Sequence, residues 1–212
     1  MNIVTIDFDI IMHRSLNIYN DLVDDDNSIQ TLLNENQEAH FVPNSDLFLY
    51  NYLTQFVLKC AKKLPQEKII FIESHEDILD YIENGQLNLQ EVFNVFNIDF
   101  HHDIAYAEED MKEIIEEADC GNWVKYLFNH YSSTFNQYVW VNTDESGDAY
   151  DVRFSTTINR KTIVHNIKKY NLDALVKSAD ILFICRSIPW VPDEEQQLYD
   201  SWKDIIDFIY KK

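Results

Sequence analysis

Short, almost wholly apolar runs separated by longer amphipathic ones leave this chain few ways to fold. Ile3 to Phe8, Lys68 to Ile72, Val92 to Ile98 and Ala179 to Cys185 are rich in β-branched and aromatic residues and read as strands, the last as a central one. Between them, Ser45 and Asp46 cap a predicted helix running to about Lys63, in which Leu49, Leu53, Phe56, Val57 and Cys60 recur at three- and four-residue steps. Ser74 to Ile82 reads as a short helix closed near Gly85, Asp119 to His130 as another, and Glu194 to Tyr210 as the last. Gln137 to Asn142 and Val152 to Thr157 read as strands flanking a turn at Glu145, Ser146 and Gly147, a pattern compatible with a hairpin. Strands interleaved with helices predict an α/β fold, a three-layer α/β/α sandwich around a mainly parallel sheet.

The 212 residues, 46% of them hydrophobic, suffice for one full core, and three glycines and four prolines leave little material for linkers, so residues 1–212 are expected to form one domain. Seventeen basic against thirty-seven acidic residues give a formal charge of −20, which repels nucleic acid and anionic membranes and draws in cations, although an acidic surface often serves solubility alone. The N-terminus has no basic region, with Asp7 and Asp9 where a secretory signal would be apolar, and no run is long enough to span a bilayer. Cys60, Cys120 and Cys185 are odd in number and widely spaced, suggesting neither a disulfide framework nor a zinc knuckle. A reducing cytoplasm is the expected compartment.

Parallel sheets place ligands beyond the carboxyl ends of their strands. After the first run comes Asp7-Phe8-Asp9, after the second Glu73-Ser74-His75-Glu76-Asp77, and after the third Asp99-Phe100-His101-His102-Asp103. All three are expected at one rim. In an extended segment alternate side chains share a face, so Asp99, His101 and Asp103 point together while Phe100 and His102 point away. Asp7 and Asp9 obey the same alternation, and His75 adds an imidazole. Any one of these elements alone is as well explained by capping or solvation. Together they make four carboxylates and two imidazoles, whose mixed oxygen and nitrogen donors suit manganese better than magnesium or calcium, with zinc and iron also accepted. Two divalent ions would balance the four negative charges, which could not all stay ionised at close quarters without them.

The segment Asp99-Phe100-His101-His102-Asp103, with His75 upstream, resembles the Asp-x-His-x-Asp metal motif of the arginase and deacetylase superfamily. Ordinary arginases carry a second Asp-x-Asp after these motifs, whereas here Asp7 and Asp9 open the chain. That order resembles the peptide arginases, which convert arginine to ornithine within a precursor peptide. Cys120-Gly121-Asn122-Trp123 and Ser187-Ile188-Pro189-Trp190-Val191-Pro192 resemble local stretches of the same group. The resemblance implies two Mn2+ ions per chain, one held by His75, Asp99, Asp103 and Asp7, the other by His101, Asp9 and the shared carboxylates of Asp99 and Asp7. It implies hydrolysis of a guanidinium to urea and an amine, with an arginine-containing precursor peptide as partner.

A carboxylate beside the metals would orient the guanidinium by paired hydrogen bonds. Glu76 is the expected residue, with Asp77, Glu194 and Glu195 as alternatives, and Asn122 either contacts substrate or caps a helix. The proton-shuttling histidine of ordinary arginases has no matching motif. His102 is nearest in sequence, although alternation turns it away. Asp24-Asp25-Asp26 and the acidic connection Glu108 to Glu117 read as solvated, and Trp190 either lines the pocket mouth or belongs to the core. Two other functions stay open: an amidohydrolase such as a deacetylase, which would use a single zinc and lack the second-site histidine, and a non-catalytic module that binds a basic partner.

Overall fold

The computed structural model describes residues 1–11, 46–104, 114–144, 146, 160–187, 191 and 196–211. Strands β1 (Asn2–Asp7), β2 (Ile69–Ile72), β3 (Phe93–Ile98), β4 (Phe135–Asn142), β5 (Thr162–Asn166) and β6 (Ile181–Cys185) form one sheet in the order β2-β6-β1-β3-β4-β5, every pair parallel. The helices are α1 (Leu47–Lys63), α2 (Ile78–Glu83), α3 (Trp123–His130), α4 (Leu172–Ser178) and α5 (Gln196–Tyr210). Among the described residues, no helix is long and apolar enough to cross a membrane.

Strand alternation divides the core into two layers. Val4, Ile6, Leu182, Ile184, Val139 and Val141 face a cluster with Leu53, Phe56 and Val57 of α1, Leu172 and Leu175 of α4, and Tyr199 and Trp202 of α5. Ile3, Phe93, Val95, Tyr138, Trp140, Phe183 and Cys185 face the other way, onto Ile78 of α2 and Trp123, Val124 and Leu127 of α3. The sheet is therefore covered on both faces, as the α/β reading requires. Helix α1 starts where Asp46 Oδ1 accepts the Leu49 N–H at 2.9 Å, and it buries the periodic positions seen in the sequence, each fully buried side chain contributing about 1.5–3 kcal/mol.

The four connections that carry a described helix share one hand. From β1 to β2 and from β5 to β6 the chain moves toward the β2 edge, over the face carrying α1 and α4; from β2 to β3 and from β3 to β4 it moves the opposite way, over the face carrying α2 and α3. That is the uniform handedness expected of parallel crossovers. The direction of travel reverses between β1 and β3, which makes their C-terminal ends the crevice where such sheets take ligands.

Two expectations need correction. Strand β4 is flanked by parallel partners on both edges, β3 and β5, so it cannot form a hairpin with the segment that follows it. Helix α3 begins at Trp123 rather than Asp119, because the Asn122 carbonyl oxygen Oδ1 accepts the Asp119 N–H (2.9 Å) and folds residues 119–122 into a turn. The last helix is described from Gln196 to Tyr210, and Glu194 and Glu195, where the sequence places its start, lie outside the described residues. Strand β5 and helix α4 carry no strong sequence signal: β5 is a five-residue edge strand with Ile163 and Val164 exposed, and α4 is seven residues long. Asp24 to Asp26, Val152 to Thr157, Gly147 and Trp190 lie outside the described residues.

Candidate metal centre

At the end of β1 the chain tightens into a 3-10 turn, Phe8–Ile11, and the Asp9 N–H donates to Asp7 Oδ1 at 3.0 Å. This turn anchors Phe8 among Tyr199 and Trp202 in the core and leaves both carboxylates at the rim, Asp7 at 5% exposure and Asp9 at 0%. Beyond β2, Asp77 Oδ2 accepts the backbone N–H groups of Glu73 and Ser74, each at 3.0 Å, closing a capping box that aims His75 inward. The ring of His75 then packs on Trp123 at 5.2 Å, and its Nε2 lies 2.8 Å from Thr5 Oγ1.

The Nδ1 atom of His75 faces three carboxylates: Asp103 Oδ2 at 3.0 Å, Asp7 Oδ2 at 3.4 Å and Asp99 Oδ2 at 3.6 Å. Asp103 is held there in a left-handed backbone conformation, φ 50°, rare for a residue with a Cβ. Its Oδ2 accepts the Trp123 indole N–H at 2.8 Å and the Asn97 amide at 3.2 Å, contacts that fix the strained residue in place. Asn97 also donates to Asp99 Oδ2 at 2.9 Å, while the His101 N–H donates to Asp99 Oδ1 at 2.8 Å. Next to these, His101 Nδ1 lies 3.0 Å from Asp9 Oδ2.

Burial and mutual repulsion set the charge state. Asp7 is pushed up to about 8, first by burial and then by the Asp9 charge. Asp99 rises well above the carboxylate range for the same reasons, with Asp103 as its nearest opponent. Burial also works against ionisation of Asp103, but the hydrogen bond and charge of His75 outweigh it and hold the group low. His75 is raised, its burial overcome by Asp103 and Asp7. Without a cation the cluster thus balances itself with protons. A divalent ion can displace those protons and satisfy the same oxygens.

Ligand atoms of His75, Asp99 and Asp103 lie within 4.8 Å of one another, as do those of Asp9, Asp99 and His101, so Asp99 belongs to both groups. Asp7, His75 and Cys185 form a further such group. The donor set is buried, rich in carboxylate and mixed with imidazole, which fits divalent cations of the manganese, iron and zinc class. The six residues expected at the rim, Asp7, Asp9, His75, Asp99, His101 and Asp103, are all brought together.

The remaining candidates are placed less favourably for substrate. Asp77 is occupied by its own turn, and Asn122 by the Asp119 turn. His102 packs edge-on against Trp140, 5.8 Å between centroids, and its Nδ1 accepts the Ile104 N–H at 3.2 Å, in a bent segment to which strand alternation does not apply. Glu76 is half-buried beside His75 and accepts a hydrogen bond from the Ser74 hydroxyl. Glu194 and Glu195 lie outside the described residues, as do residues 105–113. Sequence reasoning passed over Thr5, Asn97, Trp123 and Cys185, which support or border the cluster. Thr5 and Asn97 were polar residues inside otherwise apolar strands, and that was the available signal.

Comparison with protein-family models, with curated proteins and with solved structures found no match to this chain.

Proposed function

We propose that this chain is a binuclear metallohydrolase that cleaves C–N bonds in guanidines, converting arginine residues of a peptide to ornithine with release of urea. The observation that carries the reading is the pair of donor groups joined through Asp99, one buried and one opening to solvent at His101, each with its own imidazole, at the switch point of a parallel sheet. His75, Asp7, Asp99 and Asp103 would hold one Mn2+, and Asp9, His101 and Asp99 the other. Bound together, two such cations lower the pKa of a water and neutralise the charge that develops at the attacked carbon.

The chain's own residues supply position and electrostatics. Thr5 and Trp123 lock the ring of His75, and Asn97 and Trp123 hold Asp103, so the ligands need little rearrangement. His101, 19% exposed against 8% or less for Asp7, Asp9, His75, Asp99 and Asp103, marks the solvent side from which a substrate would arrive. The formal charge of −20 favours a cationic substrate such as a guanidinium over an anionic one. Glu76 is the nearest candidate to orient that guanidinium. Water adds to the guanidinium carbon, the bond to the side-chain nitrogen breaks, and that nitrogen leaves protonated as the ornithine amine while the carbon departs as urea.

The test is elemental analysis of protein equilibrated with Mn2+ and dialysed, paired with urea release from free arginine and from arginine-containing peptides. About two metals per chain with urea from peptides supports the reading. Two metals without urea redirects it to other C–N substrates or to a non-catalytic binding role. A single zinc would favour the deacetylase alternative, and absence of bound metal would sink all of these.

A further inference from the structure

Cys185 closes β6 and belongs to neither of the donor groups joined through Asp99. Strand β6 runs between β2 and β1, and its last residue pairs in register with Ile72 on one side and Asp7 on the other. Alternation puts the Cys185 side chain on the face shared by Ile3 and Phe183, which by the same period is the face of Thr5 and Asp7. His75, just past the end of β2, must therefore reach across the end of β6 to meet Asp7, and the thiol lies where they meet. A His75 nitrogen, an Asp7 oxygen and Cys185 Sγ all fall within 4.8 Å of one another. These residues are 2%, 5% and 1% exposed, so the group is enclosed by protein. The thiol's contact with the Glu73 carbonyl is long, 3.8 Å, and the Ser187 backbone N–H is a second polar neighbour of the sulfur.

We infer that Cys185 adds a sulfur ligand to the enclosed position beside His75 and Asp7, so that this position prefers a thiophilic ion, zinc or iron(II), to the Mn2+ assigned to it above, while Asp9, Asp99 and His101 keep manganese. The inference rests on the metal-centre reading above and refines which cations it takes. Sulfur beside imidazole and carboxylate makes a mixed set that soft or borderline ions prefer, whereas an all-oxygen-and-nitrogen group suits manganese. Ligation exchanges the thiol proton for the cation, one proton leaving as one sulfur–metal bond forms. Of the other thiols, Cys60 is buried in the core on the opposite face of the sheet, and Cys120, which is exposed, belongs to none of the three donor groups.

Cobalt(II) added to the metal-stripped full chain tests this without reference to activity. The expected result is a sulfur-to-cobalt charge-transfer band in the near ultraviolet that saturates at one equivalent, persists in Cys120→Ser and is absent from Cys185→Ser. Equilibration with equal zinc and manganese should leave one of each per chain. In Cys185→Ser the preference for zinc should fall by more than the roughly tenfold cost of losing an outer partner of a ligand. Cobalt bound with visible bands alone, in the unaltered chain, would show that Cys185 is only a core thiol while leaving the binuclear hydrolase standing. Failure to bind cobalt at all would remove both. The spectrum of the unaltered chain decides the matter even if Cys185→Ser does not fold.

Discussion

The two histidines of the centre stand in contrasting surroundings. His75 is 2% exposed, packed at a tilt against Trp123 and set by Thr5, and its Nδ1 looks into three carboxylates, of which Asp99 and Asp103 are held by Asn97, Asp103 also by Trp123, and Asp7 by the Asp9 N–H. His101 stands beyond the end of β3, 19% exposed, with its Nδ1 against Asp9 of the β1 turn. One half is built like a core and the other like a rim. On the proposed function, the buried half would retain its ion through turnover, while the open half would admit water and substrate. Asp99 is the hinge of this division, since it lies within ligand distance of both.

Replacement of Asp99 should therefore have the largest effect. Asp99→Asn is expected to drop metal content from about two ions per chain to one or fewer and urea release to background. The same substitution should stabilise the metal-free protein, because it removes a carboxyl that burial and Asp103 already keep protonated. Thermal unfolding with and without Mn2+ checks both signs. Retention of two metals would show that the halves are not joined through this residue.

His75→Ala and His101→Ala should then separate the halves. The first leaves the buried Thr5 hydroxyl and Asp103 short of a partner, at about 1–3 kcal/mol, and removes the ion of the enclosed position. The second, at a half-open site, should cost about 1 kcal/mol or less while emptying only the open position. Equal losses of stability, or loss of both ions from either variant, would erase the contrast.

That contrast was only half legible in the sequence. The α/β class, the central place of Ala179 to Cys185, helix α1 with its Asp46 cap, and the meeting of three strand-end clusters all follow from local periodicity and from the rule for parallel sheets. The depth of each ligand did not follow, because it depends on strand order. The sheet puts β6, last in the chain, between β1 and β2, and so brings Cys185 beneath Asp7 and His75. Trp123 reaches Asp103 from a helix whose start depends on the Asn122 turn, and Asp103 takes a left-handed conformation that alternation alone does not foresee. Nor does the residue pattern tell that Asp77 caps its own turn, because a capping carboxylate and a binding one look alike in sequence.

The buried half should also dictate how the metal-free protein responds to pH. Asp7 rises from about 3.8 when unfolded to about 8 in the fold, and His75 is raised as well, so the folded state binds more protons than the unfolded one across this window. The stability these groups contribute is fully present near pH 4 and is lost as pH rises through about 8. Asp103, held low, works in the opposite sense only below the ordinary carboxylate range. Metal-stripped protein should therefore melt at progressively lower temperature from pH 5 to pH 8, with a shallower slope in Asp7→Asn, and added Mn2+ should raise the midpoint most at the alkaline end. A flat profile in the stripped protein would mean that protons do not stand in for the cation.

The smallest effect expected is that of Thr5→Val, which changes one hydroxyl to a methyl in the middle of β1 and keeps the volume. Thr5 Oγ1 meets His75 Nε2 at 2.8 Å, and if the hydroxyl accepts, the imidazole keeps its proton on Nε2 and offers Nδ1 to the carboxylate side. With that bond gone the ring can take either tautomer, so affinity at the enclosed position should fall about tenfold while the open position is untouched. Competitive metal titration against a chelator reads the two positions separately. A loss at the open position instead would assign Thr5 a role in the whole rim, and no loss at either would leave Trp123 as the group that orients His75.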